Sequence, residues 1–127
     1  MSKEIIVIIT VLIIVITLDI ITNRYTTYAA DSLSDQFAQL REYVLKKDKN
    51  LIDSKINEIA TNWNRYNKKL SYYMEHDELE KVGNSMSALK ANLETKEYHN
   101  AIEKIDLNIF ILQHIQEKEK FSISSLF

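Results

Sequence analysis

The chain has 127 residues, enough for one domain, with one Gly, no Pro and no Cys. The missing cysteines exclude a disulfide scaffold, a thiolate nucleophile and a cysteine-based metal site, and the shortage of turn residues excludes an all-β sandwich or barrel. A formal net charge of -2 gives no electrostatic reason to expect a nucleic-acid partner. What remains is an all-α protein.

The composition changes sharply along the chain. From Ile5 to Leu18 there is no charge, and only Thr10 and Thr17 are polar. Asp19 interrupts, and Ile20 and Ile21 close the run. A helix over 5–21 is about 26 Å long, close to the hydrocarbon thickness of a bilayer. A domain this small has no interior large enough to hide a helix that is apolar on every side. A cleaved signal peptide is the competing reading, with Thr27-Tyr28-Ala29 as a small-x-small triplet. Against it stand the length of the apolar run and a leading stretch whose Lys3 is offset by Glu4. The expectation is an uncleaved single-pass anchor in the cell membrane. Lys3 on one flank and Arg24 on the other set no orientation. The very short leading tail and the absence of Cys favour a body outside the cytoplasm.

Beyond the span the sequence predicts four amphipathic helices. Ser32 with Asp35 reads as a capping pair that opens the first, and Leu33, Phe37, Leu40 and Val44 repeat along it. Lys47-Asp48-Lys49-Asn50 is a polar break. The second helix carries Ile52, Ile56, Ile59, Trp63, Tyr66, Leu70 and Tyr73 at alternating steps of four and three, a heptad seam. The third runs from Asp77 to Glu94, with Asp77 and Glu80 as a capping box. The fourth runs from Glu97 to Lys118 on Tyr98, Ile102, Ile105, Ile109, Leu112 and Ile115. A continuous helix over 51–94 competes with a hairpin between the second and third. Residues 41–69 hold eight basic and four acidic groups, and residues 70–106 hold the reverse. Pairing of those opposite charges favours the hairpin. The predicted organisation is a tail at 1–4, a transmembrane helix at 5–21, a juxtamembrane linker at 22–31, an antiparallel helical bundle at 32–118 and a non-helical tail at 119–127.

Several short motifs lie along this frame: Trp63 ahead of Asn67-Lys68-Lys69, then His76-Asp77-Glu78-Leu79, then Glu119 and the ending Phe121-Ser-Ile-Ser-Ser-Leu-Phe127. In these the chain resembles an uncharacterised family of small single-pass membrane proteins of Gram-positive spore-formers, a domain of unknown function with a His-x-Glu-aliphatic signature. Ser125 stands where the family pattern has Asn. The resemblance implies a membrane-anchored helical protein and supplies no catalytic residue.

No constellation for catalysis stands out. His76 and Glu80 are one helical turn apart, and His99 and His114 have Glu103 and Glu117 nearby, but no helix face gathers three metal ligands. One glycine, Gly83, builds neither a phosphate loop nor a nucleophile elbow. No enzyme activity, cofactor or metal is expected. Tyr25 and Tyr28 read as an interfacial aromatic belt. The candidate interaction residues are Trp63, Tyr66, Tyr73, His76, Glu78, Phe121, Ile123, Leu126 and Phe127. Aromatics at heptad spacing are bundle core first and a ligand groove or partner seam second. The apolar ending either docks back on the bundle, binds a partner or enters the lipid interface. The expected function is an accessory or scaffold protein that binds another membrane or envelope protein, with a second copy of the chain as a further partner. An extracytoplasmic sensor-like ligand-binding bundle is the alternative, and a phage-type envelope-spanning coiled coil is a third.

An uncleaved anchor makes the protein pellet with membranes, resist a carbonate wash and retain Met1 by mass. A soluble species beginning at Ala30 or Asp31 marks cleavage instead.

Overall fold

In the computed structural model, residues 2–126 are described, with side chains described through Phe121. Four helices follow one another: α1 (Lys3–Leu45), α2 (Lys49–Leu70), α3 (His76–Glu94) and α4 (Tyr98–Leu126). Among the described residues there is no strand. The all-α class, the N-terminal apolar helix and the bundle are as the sequence predicts.

The largest correction concerns α1. Residues 22–31 are not a linker, because α1 runs without interruption for 43 residues from the apolar run into the bundle. Nothing in this stretch can stop a helix: it holds no Gly or Pro. Ser32 lies in mid-helix and caps nothing. Its hydroxyl accepts from Gln36 Nε2 at 3.1 Å and from the Tyr66 hydroxyl at 3.2 Å. The apolar part of α1 is long enough to cross a membrane and none of it is buried in the protein. The buried face begins at Thr26, Ala29 and Ala30 and continues through Leu33, Phe37, Leu40 and Val44. The core therefore starts nearly two helical turns before the predicted bundle boundary.

The second correction concerns the tail. Residues 119–126 belong to α4, so the helix does not end at Lys118. The two polar breaks fall where predicted, and both are built the same way. After α1, the Lys47 N–H donates to the Val44 carbonyl and the Asp48 N–H to the Tyr43 carbonyl. After α3, the Lys96 N–H donates to the Leu93 carbonyl and the Glu97 N–H to the Asn92 carbonyl. These are paired Schellman caps, with Lys47 (φ 55°) and Lys96 (φ 58°) in the left-handed conformation that glycine ordinarily supplies. Asp48 also caps α2, accepting from the Leu51 N–H at 3.2 Å.

The matching turns are part of a longer internal correspondence. Buried positions of the α1–α2 hairpin recur 49 residues later in α3–α4: Leu33 and Val82, Phe37 and Met86, Leu40 and Leu89, Ile56 and Ile105, Trp63 and Leu112, Tyr66 and Ile115. The two hairpins pack unevenly. The contact of α1 with α4 is the most extensive in the bundle, and that of α2 with α3 the slightest. Side-chain size accounts for the difference. Ala29 and Ala30 of α1 and Ala101 of α4 are buried and let backbones approach, whereas the Trp63 indole stands between α2 and α3, near Gly83.

The hairpin between α2 and α3 is present, but its expected cause is not. Among the described residues no ion pair joins these two helices. Charge pairing runs instead from Arg41 to Asp106 at 2.9 Å and from Lys118 to Glu78 at 2.8 Å. The turn at 71–75 closes through local bonds such as the Met74 N–H to the Leu70 carbonyl at 2.9 Å. The Asp77–Glu80 capping box is also absent: α3 opens at His76 with Glu75 at its cap position and no side-chain cap bond. Asp77 and Glu78 in its first turn favour the helix through its dipole instead.

Trp63 is 7% exposed, so Trp63→Ala costs about 3–5 kcal/mol in chemical denaturation of the detergent-solubilised chain. Gly83→Ala has the opposite sign. A Cβ there meets Trp63 Nε1 at an unstrained 4.0 Å, and the gain in helix propensity is about 1 kcal/mol. A destabilised Gly83→Ala protein would show that the two helices are closer than this.

Candidate functional site

Because α1 and α3 run one way and α2 and α4 the other, the bundle has two unlike ends. The turns at 46–48 and 95–97 form the end far from the apolar span. The turn at 71–75 and the last turns of α4 gather around α1 where its apolar run ends.

At this near end the predicted aromatics meet. Tyr66 is buried, with Tyr25 and Tyr28 of α1 each edge-on to it at 6.1 Å between ring centroids. The Arg65 guanidinium sits 5.4 Å from the Tyr66 ring, and Lys69 Nζ 5.5 Å from the Tyr25 ring. Tyr73 shares a 2.7 Å hydrogen bond with Thr26 and donates to the Thr22 carbonyl at 3.2 Å, which ties the turn to α1. Burial pushes the Tyr73 phenol above its usual range. The pairing Asn62–Gln36–Ser32–Tyr66 runs behind this cluster as a chain of side-chain hydrogen bonds between α2 and α1. Trp63 and Tyr66 are thus core residues, and Tyr73 is a clasp. None of the three borders either of the two openings described below.

The His-x-Glu segment divides. Glu78 is largely covered and paired with Lys118 of α4, whereas His76 projects into solvent with Glu80 at 3.8 Å. His76 and Glu78 therefore do not form a common site. Among the described residues no group of three His, Asp or Glu side chains is placed to hold a metal ion. Phe121 is 75% exposed. The side chains of Ile123 and Leu126, and all of Phe127, lie outside the described residues.

Beside Lys118, Glu119 turns toward α1. Burial raises its carboxyl above the usual range, and the neighbouring Glu78 and Asp19 carboxylates add to this, against the pull of the Asn23 amide and Lys118. Gln116 reaches the same stretch of α1, donating to the Thr27 carbonyl at 3.3 Å and to the Asp31 carboxylate.

Two openings complete the surface. The cleft between α2 and α3 at the far end has a volume of about 410 Å³; Ile52, Ile56, Lys90, Leu93 and Tyr98 are among the residues that line it. The second is a mainly apolar groove of about 660 Å³ on the outer face of α3 and α4, bordered by Ala88, Leu107, Phe110 and Ile111, with Lys81, Lys104 and His114 at its margins. Phe110 is 66% exposed. Beneath lies the one buried amide of the core, Asn108, whose Nδ2 donates to Ser85 Oγ at 2.9 Å and to the Lys104 carbonyl at 2.8 Å. Sequence reading misses this groove. Its signal was Leu107 and Phe110, two large apolar residues that the stripe Ile102, Ile105, Ile109 and Leu112 leaves on the outside.

A match to a domain of unknown function, DUF4363, spans residues 20–126. The chain belongs to this family. The match opens at Ile20, so it takes in the bundle and the emerging end of α1 rather than the apolar run. No curated protein and no solved structure matches the chain.

The folded state holds the Glu119 proton more tightly than the unfolded chain does. That contribution is complete below the ordinary carboxylate pKa of about 4.3 and is lost as pH rises through the raised folded value. Glu119→Gln accordingly raises the Tm at pH 7, and the advantage over the parent protein disappears when both are melted near pH 4. A lower Tm for the variant at pH 7 would mean that Lys118 and Asn23 favour the charged form.

Proposed function

We propose that this is a single-pass membrane protein whose bundle lies outside the cytoplasm and acts as an accessory or scaffold for another membrane or envelope protein. The observation that carries the reading is the exposed apolar groove of α3 and α4, with Phe110 on its border. Isolated surface phenylalanines are ordinary, but an apolar groove with cationic margins is suited to an amphipathic segment that brings aliphatic side chains and carboxylates. The binding role rests further on the rigid run of α1 from span to core, which holds such a groove at a set height above a membrane. Catalysis has no comparable support in any cluster of side chains.

The far-end cleft supports the second reading, a sensor-like ligand-binding bundle. Lys49, Lys90 and Lys96 at its border suit a small anionic ligand. Such a ligand would raise the Tm of the purified protein with the logarithm of its concentration once that exceeds the Kd.

Phe110→Glu tests the scaffold reading. The change is on the surface, so the stability changes by no more than about 0.5 kcal/mol, while a photo-crosslinker at Leu107 loses its protein adduct in native membranes. An adduct that survives Phe110→Glu unchanged sinks the groove as the docking surface. A periplasm-active reporter fused after Phe127 reports the orientation, and its silence reverses the topology.

A further inference from the structure

We propose that the last turns of α4, residues 120–126, enter the bilayer beside α1 and hold the bundle to the membrane by a second, lipid-facing contact. The inference rests on the reading of 5–21 as a membrane span and goes beyond it, since it concerns a different helix.

Three observations point to it. The first is register. Gln116 bonds to the Thr27 carbonyl and to Asp31, so α4 descends α1 antiparallel. Ten further residues of helix reach Leu126, about 15 Å beyond Gln116 along the axis. Counted from Thr27 and Asp31, that places the end of α4 beside residues 17–21, the last turn of the apolar run.

The second is the exposure of α1 itself. Along most of the run the apolar side chains are open on all sides, as at Ile8 with 58%. At Ile16 the value falls to 37%, and Asp19 and Ile20 are half-buried. One flank of the last turn of the span is therefore already covered by protein, where a lone membrane helix would meet only lipid.

The third is the chemistry of the segment. Phe121 is 75% exposed on the side of α4 away from Glu119, at the level where hydrocarbon begins. In the sequence, Leu112, Ile115, Glu119, Ile123 and Leu126 continue one helical spacing, so the apolar repeat of α4 resumes past Glu119. Lys118 and Lys120 lie just above, at headgroup height, where cations are favoured beside anionic lipids. Water is a poor solvent for this arrangement and the acyl region a good one.

The test uses the full chain, which has no cysteine of its own, reconstituted in vesicles of phosphatidylcholine and phosphatidylglycerol. Single variants Phe121→Cys, Leu126→Cys, Ile13→Cys and Phe110→Cys carry an environment-sensitive fluorophore. Circular dichroism and the emission of the single Trp63 confirm that each is folded. The expected result is that labels at 121 and 126 are blue-shifted and lose emission to acyl-brominated lipid, as the label at 13 does. The label at 110 should respond only to aqueous iodide. Iodide quenching at 121 and 126 overturns the proposal and leaves the span standing if 13 is still quenched by lipid. Protection from both quenchers at 121 and 126 also overturns it, because protein and not lipid then covers the helix end. Failure of lipid quenching at 13 removes the span and the proposal together.

Discussion

Between Leu18 and Leu33 the surroundings of α1 change completely while its backbone does not change at all. On one side of this stretch every apolar side chain is exposed, as befits a helix in lipid; on the other, Leu33, Phe37 and Leu40 are sealed in the protein core. A helix makes this passage without cost to its hydrogen bonding, because each N–H and C=O is satisfied within the segment in either medium. The side chains handle the transition. Thr22 and Thr26 bond back to carbonyls of α1 itself, at Leu18 and at Thr22. Tyr25, Tyr28, Tyr66 and Tyr73 then collect around the emerging helix. The near end of the bundle is assembled on this stretch, and the positions of α2, α4 and the 71–75 turn follow from it.

The remainder of the architecture is a hairpin used twice. Equivalent turns, equivalent caps and equivalent buried positions make α1–α2 and α3–α4 two versions of one unit, and the departures from equivalence do the distinguishing. At Ile59 the first hairpin has a branched alkyl group; at the corresponding Asn108 the second has an amide that must find partners, and Ser85 supplies one. Ser85 is the partner of this amide on the facing helix, so the bond favours the register of α3 on α4 in which the two meet. At Leu70 the first hairpin closes with an apolar residue. At the corresponding Glu119 the second has a carboxyl.

Much of this was legible in the residues. The seam of α2 from Ile52 to Leu70 is buried as its spacing demands, and both polar breaks fall within a residue or two of the observed turns. The misreadings have specific causes. Ser32 and Asp35 satisfy a capping pattern, but a pattern of two residues does not interrupt a helix when Gly and Pro are absent upstream. Glu119 hid the continuation of α4, because one carboxyl on the apolar face looks like the end of the periodicity. The charge difference between 41–69 and 70–106 suggested a pairing of α2 with α3, but the bulk of Trp63 keeps that contact slight and the ion pairs form elsewhere. The groove on α3 and α4 had only a faint signal, Leu107 and Phe110 outside the apolar stripe, because no residue in it is unusual by type. It exists only when two helices set Phe110 and Leu107 around a common space.

The uninterrupted course of α1 also makes it a lever. Rigid helix connects the apolar run to the far turns, with roughly 35 Å between Thr22 and Leu45. Spans adapt to bilayer thickness by tilting, and a tilt of about 10° at the base carries the tip of a 35 Å arm sideways by about 6 Å. A flexible joint at 22–31 would absorb that displacement; this helix delivers it to Lys47, Lys96 and whatever lies beside them. With 5–21 read as a membrane span, as proposed above, the height and lean of the far end would follow the thickness of the bilayer beneath.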